Sequence, residues 1–137
     1  MRIADLAGKR VAIWGFGREG RAAIAALRQR LPELPLTLFC SEAEVAAAQA
    51  FDAALDVRGR EPDAIDLAPF EIVVKSPGVS AYKPALLAAK EAGLRVTSGT
   101  ALWFGENPDA KIVAVTGTKG KSTTTALLAH LARSLGV

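Results

Sequence analysis

The sequence predicts an α/β fold built around a parallel sheet, and three observations predict it. Short apolar runs of β formers, such as Val11 to Trp14, Leu36 to Phe39 and Ile72 to Val74, alternate with segments whose apolar positions recur every three or four residues. Glycine- and proline-bearing turns separate the two kinds of segment. About a fifth of the residues are alanine, which favours closely packed helices over an all-β design or a disordered chain.

The elements follow in order. Arg10 to Trp14 reads as a buried strand that stops at the Gly15-Phe16-Gly17 turn. From Arg18 to Leu31, Ala22, Ala23, Ala26, Leu27 and Leu31 keep helical spacing until Pro32 closes the segment. Leu36 to Phe39 makes a second strand, Glu42 to Phe51 an alanine-rich helix, and Ala53 to Val57 a third strand before the breakers Gly59 and Pro62. Ile72 to Val74 is a fourth strand running into the Ser76-Pro77-Gly78 turn. Pro84 then opens a helix over Ala85 to Ala92, capped by Gly93, and Leu94 to Thr97 supplies a fifth strand. Repeated βα alternation over the first hundred residues implies a Rossmann-like parallel sheet covered on both faces.

Residues 98–107 include Trp103 and Phe104 and end at Asn107-Pro108-Asp109, a composition typical of a boundary. Residues 1–98 are therefore expected to form one domain and residues 99–137 to begin a second, incomplete one. That second part reads as a strand from Lys111 to Thr116, a phosphate loop, and a helix from Lys121 to Leu135 with Leu127, Leu128, Leu131 and Leu135 along one side. One strand and one helix cannot bury a core, so the tail either packs on the first domain or belongs to a larger domain, as in a fragment.

Composition narrows the function classes. The net charge of +3 suits phosphate-bearing ligands and equally a solvated surface. Arginines are scattered without interleaved aromatic residues, so nucleic acid is not expected as a partner. Cys40 is the sole cysteine, which excludes an intrachain disulfide or a multi-cysteine zinc site. Neither a signal sequence nor a membrane-spanning run is visible, so a cytoplasmic protein without a membrane partner is expected, acting as a monomer. His130 has no companion ligands and reads as a helix-surface residue.

Three motifs carry chemistry. Gly117-Thr118-Lys119-Gly120-Lys121-Ser122 lies between a strand and a helix N-terminus, where free N–H groups and the helix dipole favour an anion. Lys121 could reach the β- and γ-phosphate oxygens of ATP, and the Ser122 hydroxyl could coordinate Mg²⁺. The loop is a variant, because its first glycine falls at Gly117 and the position five residues before Gly120 is Val115. Lys119 is expected in solvent. Gly15-Phe16-Gly17-Arg18-Glu19-Gly20 fits G-x-G-x-x-G, which alone points to a dinucleotide-binding turn. The acidic residue that would hold a ribose hydroxyl is absent, since the second strand ends Phe39-Cys40-Ser41, and NAD loses support. Glu42 and Glu44 follow too late and read as a charged first helical turn. Ser76-Pro77-Gly78 ends the fourth strand on the ligand-binding side of such sheets, either sharing that ligand or serving as a plain turn.

The order of these motifs resembles the Mur ligases of peptidoglycan precursor synthesis, and among them the glutamate-adding members. The likeness covers essentially the whole chain and rests on Val11 to Gly17, Ile72 to Gly78, and Val113 to Thr123, whose shortened loop is similar to the Mur and folylpolyglutamate ligase form. The resemblance implies an N-terminal fragment of an ATP-dependent ligase joining glutamate to UDP-N-acetylmuramoyl-L-alanine through an acyl phosphate. Such a fragment binds the UDP substrate and is inactive alone. By position, Gly15, Gly17, Arg18, Glu19, Gly20, Ser41, Ser76 and Gly78 would line the UDP site, with Cys40 departing from the aspartate common there. Gly117, Thr118, Lys119, Gly120, Lys121, Ser122 and Thr123 would bind ATP. Lys121 and Ser122 would carry the catalytic roles, Ser122 also as the Mg²⁺ ligand. The Trp14 to Gly20 region looks more like a variant group adding L-glutamate than the majority adding D-glutamate. An NAD(P)-dependent oxidoreductase and a non-enzymatic nucleotide-binding module are the competing classes.

Overall fold

The computed structural model describes residues 1–136 and shows the expected doubly covered parallel sheet. Five strands, β1 (Val11–Trp14), β2 (Leu36–Phe39), β3 (Asp56–Arg58), β4 (Ile72–Lys75) and β5 (Arg95–Thr97), run in the order β3-β2-β1-β4-β5, every neighbouring pair parallel. β1 sits at the centre, with Val11 level with Leu36 and Ile72, and Trp14 level with Phe39 and Lys75.

Side-chain alternation divides the core into two layers. Val11, Ile13, Leu36, Leu38, Ile72 and Val74 face helix α1 (Arg18–Arg30) through Ala23, Ile24 and Leu27, and α2 (Val45–Phe51) through Ala48. Ala12, Trp14, Phe39 and Val73 face the other way, onto Leu67 of α3 (Ala64–Leu67) and Leu86 and Ala89 of α4 (Pro84–Glu91). The chain thus winds outward from β1 to β3 beneath one layer, then crosses to β4 and β5 beneath the other. The reversal falls between β1 and β4, the position where open α/β sheets leave a crevice at the strands' carboxyl ends.

Several local expectations are corrected. The third strand is Asp56–Arg58 rather than Ala53 to Val57, because Asp52 turns the chain: its carboxylate accepts from the Ala54 N–H at 2.9 Å and its carbonyl from the Leu55 N–H at 3.2 Å. The second helix opens with a 3-10 turn, Glu42–Glu44, before α2. A four-residue helix, α3, was not anticipated from periodicity; Asp63 caps it by accepting from the Asp66 N–H at 2.8 Å. An N-terminal 3-10 turn, Ile3–Leu6, also escaped periodicity and buries Ile3 and Leu6.

The stretch with boundary composition carries helix α5 (Gly99–Glu106), capped by the Ser98 hydroxyl, which accepts from the Ala101 N–H at 3.1 Å. Leu102 joins the α1-side core, and Glu106 accepts from the Ile3 N–H at 2.7 Å and pairs with Arg30. Beyond it, the strand predicted from Lys111 to Thr116 is not formed, since these residues have no regular structure and are exposed apart from half-buried Val115. A strand needs a neighbour to receive its N–H and C=O groups, and none is paired to this segment. Helix α6 (Lys121–Ser134) does form, with every residue exposed except half-buried Ala132. No helix among the described residues is long and apolar enough to cross a membrane.

Candidate nucleotide crevice and phosphate loop

The carboxyl ends of β1 and β4 are locked together by three residues of the sequence motifs. Gly15 leaves β1 at φ +102, a left-handed conformation that L side chains rarely adopt, and its N–H donates to the Phe39 carbonyl at 2.8 Å. A Cβ on Gly15 would stand 2.9 Å from both Cβ and Oγ of Ser76. The Ser76 N–H donates to the Trp14 carbonyl at 2.9 Å and its hydroxyl to the Gly15 carbonyl at 3.1 Å. Gly20 is buried behind this pair, where a Cβ would overlap the Gly15 carbonyl oxygen. The hydroxyl proton of Ser76 is therefore spent on the glycine loop, and the residue shapes the crevice by holding that loop.

Gly17 is the N-cap of α1 and brings no side-chain cap, so the first-turn N–H groups of the helix are available to an anion. Arg18 is exposed beside them. Glu19 is aimed elsewhere: its carboxylate accepts from the Thr100 hydroxyl at 3.3 Å and borders a groove of about 620 Å³ between α1 and α5. Gly78 lies exposed in the Ser76–Val79 turn, which is tied by the Val79 N–H to the Ser76 carbonyl at 3.0 Å. The Lys75 ammonium clamps the same turn, donating to the Val79 carbonyl at 3.0 Å and the Ser76 carbonyl at 3.4 Å.

At the end of β2, Cys40 is neutral and Ser41 is paired with Glu44. Cys40 is buried, and burial first, then the charges of Glu44 and Glu42, push its thiol above the usual range. It presents no negative charge to a ribose. Ser41 is occupied by Glu44, donating from its hydroxyl at 2.7 Å and its N–H at 3.0 Å. These bonds, the hydroxyl's first, hold the Glu44 carboxyl below its ordinary value, with the charge of Arg21 adding to them. Arg21 itself was missed by motif reading. It falls one position beyond the G-x-G-x-x-G pattern, and no sequence signal tells which way its side chain folds.

The second motif forms a separate turn ahead of α6. Gly117 and Gly120 take positive φ, +154 and +75, and Gly120 is the helix N-cap. The Lys121 ammonium folds back onto the Gly117 carbonyl at 2.6 Å, closing the loop around its own backbone. Thr118, Lys119, Ser122 and Thr123 are exposed, as is His130 further along the helix. The loop residues, the left-handed Gly120 and the uncapped N-terminus of α6 fit a triphosphate and its metal. Ser122, the second residue of α6, has its hydroxyl in solvent.

Comparison with known proteins converges on one group. No family model matches the chain. It is 57% identical over 143 residues to the UDP-N-acetylmuramoyl-L-alanine–L-glutamate ligase of Xanthomonas campestris pv. campestris (strain 8004), covering 99% of this chain and 30% of that protein. The protein of the same name from Xylella fastidiosa (strain Temecula1) is 51% identical over 142 residues, with 99% and 30% covered. That of Micromonospora sp. is 42% identical over 134 residues, with 96% and 29% covered. The chain thus spans 30% of the length of the first of these relatives. With its glycine-loop crevice, its shortened phosphate loop and these likenesses along nearly its whole length, the chain belongs to the Mur ligase family.

Proposed function

We propose that this chain is the UDP-substrate-binding part of an ATP-dependent ligase that joins L-glutamate to UDP-N-acetylmuramoyl-L-alanine in the cytoplasm, with the phosphate loop of the ATP site following it. The observation that carries the reading is the lock of Gly15, Gly20 and Ser76 at the β1/β4 reversal, which leaves a helix N-terminus, together with a neutral thiol in place of a carboxylate at Cys40. A diphosphate is accommodated by the first turn of α1, beside Gly17 and Arg18, while Gly78 and the 76–79 turn form the opposite wall. Ser41, just beyond β2, would border the crevice, and Glu19 braces α1 against α5. The L-glutamate assignment is supported by the names of the relatives and by the Trp14 to Gly20 segment.

In the full-length enzyme the substrate's alanyl carboxylate oxygen attacks the γ-phosphorus of ATP, and ADP leaves. The glutamate amine then attacks the acyl carbon, the C–O bond to phosphate breaks, and the amine proton is lost as the amide forms. Lys121 would stabilise the charge on the transferring phosphoryl oxygens, exchanging its bond to the Gly117 carbonyl for them. Backbone N–H groups of Gly117 to Thr123 would hold the remaining phosphate oxygens. Mg²⁺, when bound, would neutralise phosphate charge, and the Ser122 hydroxyl would be the side chain that holds it. Positioning dominates such a reaction, so the chain alone, without the remaining 70% or so of its relatives' length, is expected to bind and not to ligate.

Calorimetric titration of the chain with UDP and with NAD⁺ tests the reading. Saturable binding of UDP with no heat from NAD⁺ is expected. NAD⁺ binding without UDP binding would return the chain to the oxidoreductase class.

A further inference from the structure

The glycine loop carries a fixed cation outside its motif. Arg21, four residues into α1, donates from Nε to the Phe16 carbonyl oxygen at 3.2 Å, and its guanidinium carbon lies 4.3 Å from the centroid of the Phe16 ring. That ring is 1% exposed and meets Phe51 edge-on at 5.7 Å, so the platform is itself held in place. Two contacts thus hold the guanidinium in position over the Phe16 ring. Among the described residues its two terminal nitrogens make no hydrogen bond, and Glu44, the carboxyl its charge helps to hold low, is committed to Ser41.

An arginine held by Nε and by stacking retains four N–H donors in a planar fork, the geometry that matches phosphate oxygens bidentately. Its backbone anchor is the carbonyl of Phe16, inside the loop that would wrap a diphosphate. Pre-fixing the side chain also removes part of the ordering cost that a free surface arginine meets on binding.

We propose that Arg21 is a diphosphate-binding residue of this crevice, its terminal nitrogens taking oxygens of a nucleoside diphosphate seated on the first turn of α1. The proposal rests on the UDP reading above. It adds a side chain that the glycine pattern does not specify, and it supplies the positive charge that the backbone alone provides only as partial dipoles.

The test is UDP titration of the full 137-residue chain and of two variants, Arg21→Met and Arg21→Lys, at two salt concentrations, with unfolding midpoints measured alongside. Arg21→Met keeps an apolar stem over Phe16 and is expected to bind UDP at least tenfold more weakly, with a shallower salt dependence. Arg21→Lys keeps the charge without the Nε bond or the planar fork, and should recover only part of that loss. UDP affinity within threefold of the parent in Arg21→Met overturns the proposal, as does a loss in Arg21→Met that leaves the salt dependence of binding unchanged, which would make the contact with Phe16 purely structural. If the unsubstituted chain itself fails to bind UDP, the nucleotide reading falls first.

Discussion

Replacing Gly20 by alanine tests the geometry of the crevice most directly. The added Cβ would overlap the carbonyl oxygen of Gly15, a backbone atom that cannot swing aside as a side chain would, and would stand 3.2 Å from Oγ of Ser76. Overpacking of this kind costs about 1–3 kcal/mol. Alanine recovers at most about 1 kcal/mol of helix propensity over glycine, less near a helix N-terminus than in its middle. The net expectation is a loss of about 1–2 kcal/mol, read as a lower urea midpoint at unchanged slope. Gly99→Ala is the internal control. Its Cβ would meet Ala23 Cβ and the Glu19 carbonyl at 3.6 Å, ordinary contact distance, so that variant should be neutral or slightly more stable. The relief available to Gly20→Ala is movement of the Gly15 loop away from Ser76, which breaks the 3.1 Å hydroxyl bond. UDP affinity should therefore fall by about tenfold or more, equivalent to about 1.4 kcal/mol. Equal stability of the two alanine variants, or undiminished UDP binding in Gly20→Ala, would refute the interlocked crevice.

Three further outcomes are expected. Arg28 and Asp52 pair at 2.6 Å with both side chains mostly buried; burial acts to raise the Asp52 pKa, but the bonds from Arg28 and the Ala54 N–H outweigh it and leave it lowered. Because the folded pKa lies below the unfolded value of about 3.9, the pair's contribution is complete above that value and is lost as pH falls through the folded one. Asp52→Asn should cost about 1–2 kcal/mol at pH 7 and flatten the acid limb of a urea-midpoint profile; an unchanged limb would count against it. Removing residues 111–137 should leave the urea midpoint of the remainder unaltered, because α6 buries no residue; a clear drop would show that the tail packs on the first body. Lys121→Met in a full-length ligase should lower turnover by at least about 100-fold through lost phosphoryl-charge stabilisation, while leaving UDP affinity of the crevice intact; parallel loss of both would indicate misfolding.

The parts of the fold that the sequence revealed are those where one local signal was enough. β1, β2 and β4 are continuous apolar runs closed by glycine or serine turns, and their burial on both faces follows from that composition. α1 and α4 were marked by helical spacing together with Pro32 and Pro84. What failed depended on partners. Lys111 to Thr116 has the composition of a strand but no neighbouring strand. Residues 98–107 have the composition of a boundary, from which their supply of Leu102 to the core and Glu106 to Ile3 and Arg30 could not be read. The site shows the same division. The glycines could be named from spacing, whereas the turning of Glu19 toward Thr100, the use of the Ser76 proton on Gly15 and the stacking of Arg21 on Phe16 are long-range or side-chain facts.

The end of β2 explains why one glycine pattern serves two ligand chemistries. A dinucleotide fold places a carboxylate there to accept from ribose hydroxyls, and that charge also repels a nearby phosphate. Here the position is Cys40, whose thiol burial and the neighbouring carboxylates keep protonated, and of the two acids that follow, Glu44 is turned onto Ser41. With no carboxylate at that position, Arg21, fixed on Phe16, is a held positive charge at the glycine loop. Restoring the carboxylate by Cys40→Asp would bury an acid close to Glu42 and Glu44, whose charges already oppose ionisation at this position. Such a variant would carry its proton into neutral pH more readily than an exposed aspartate, so gaining the dinucleotide residue would not by itself gain the dinucleotide. Ligand choice in this crevice lies in the electrostatic surroundings of the second strand's end, and the glycines only permit the approach.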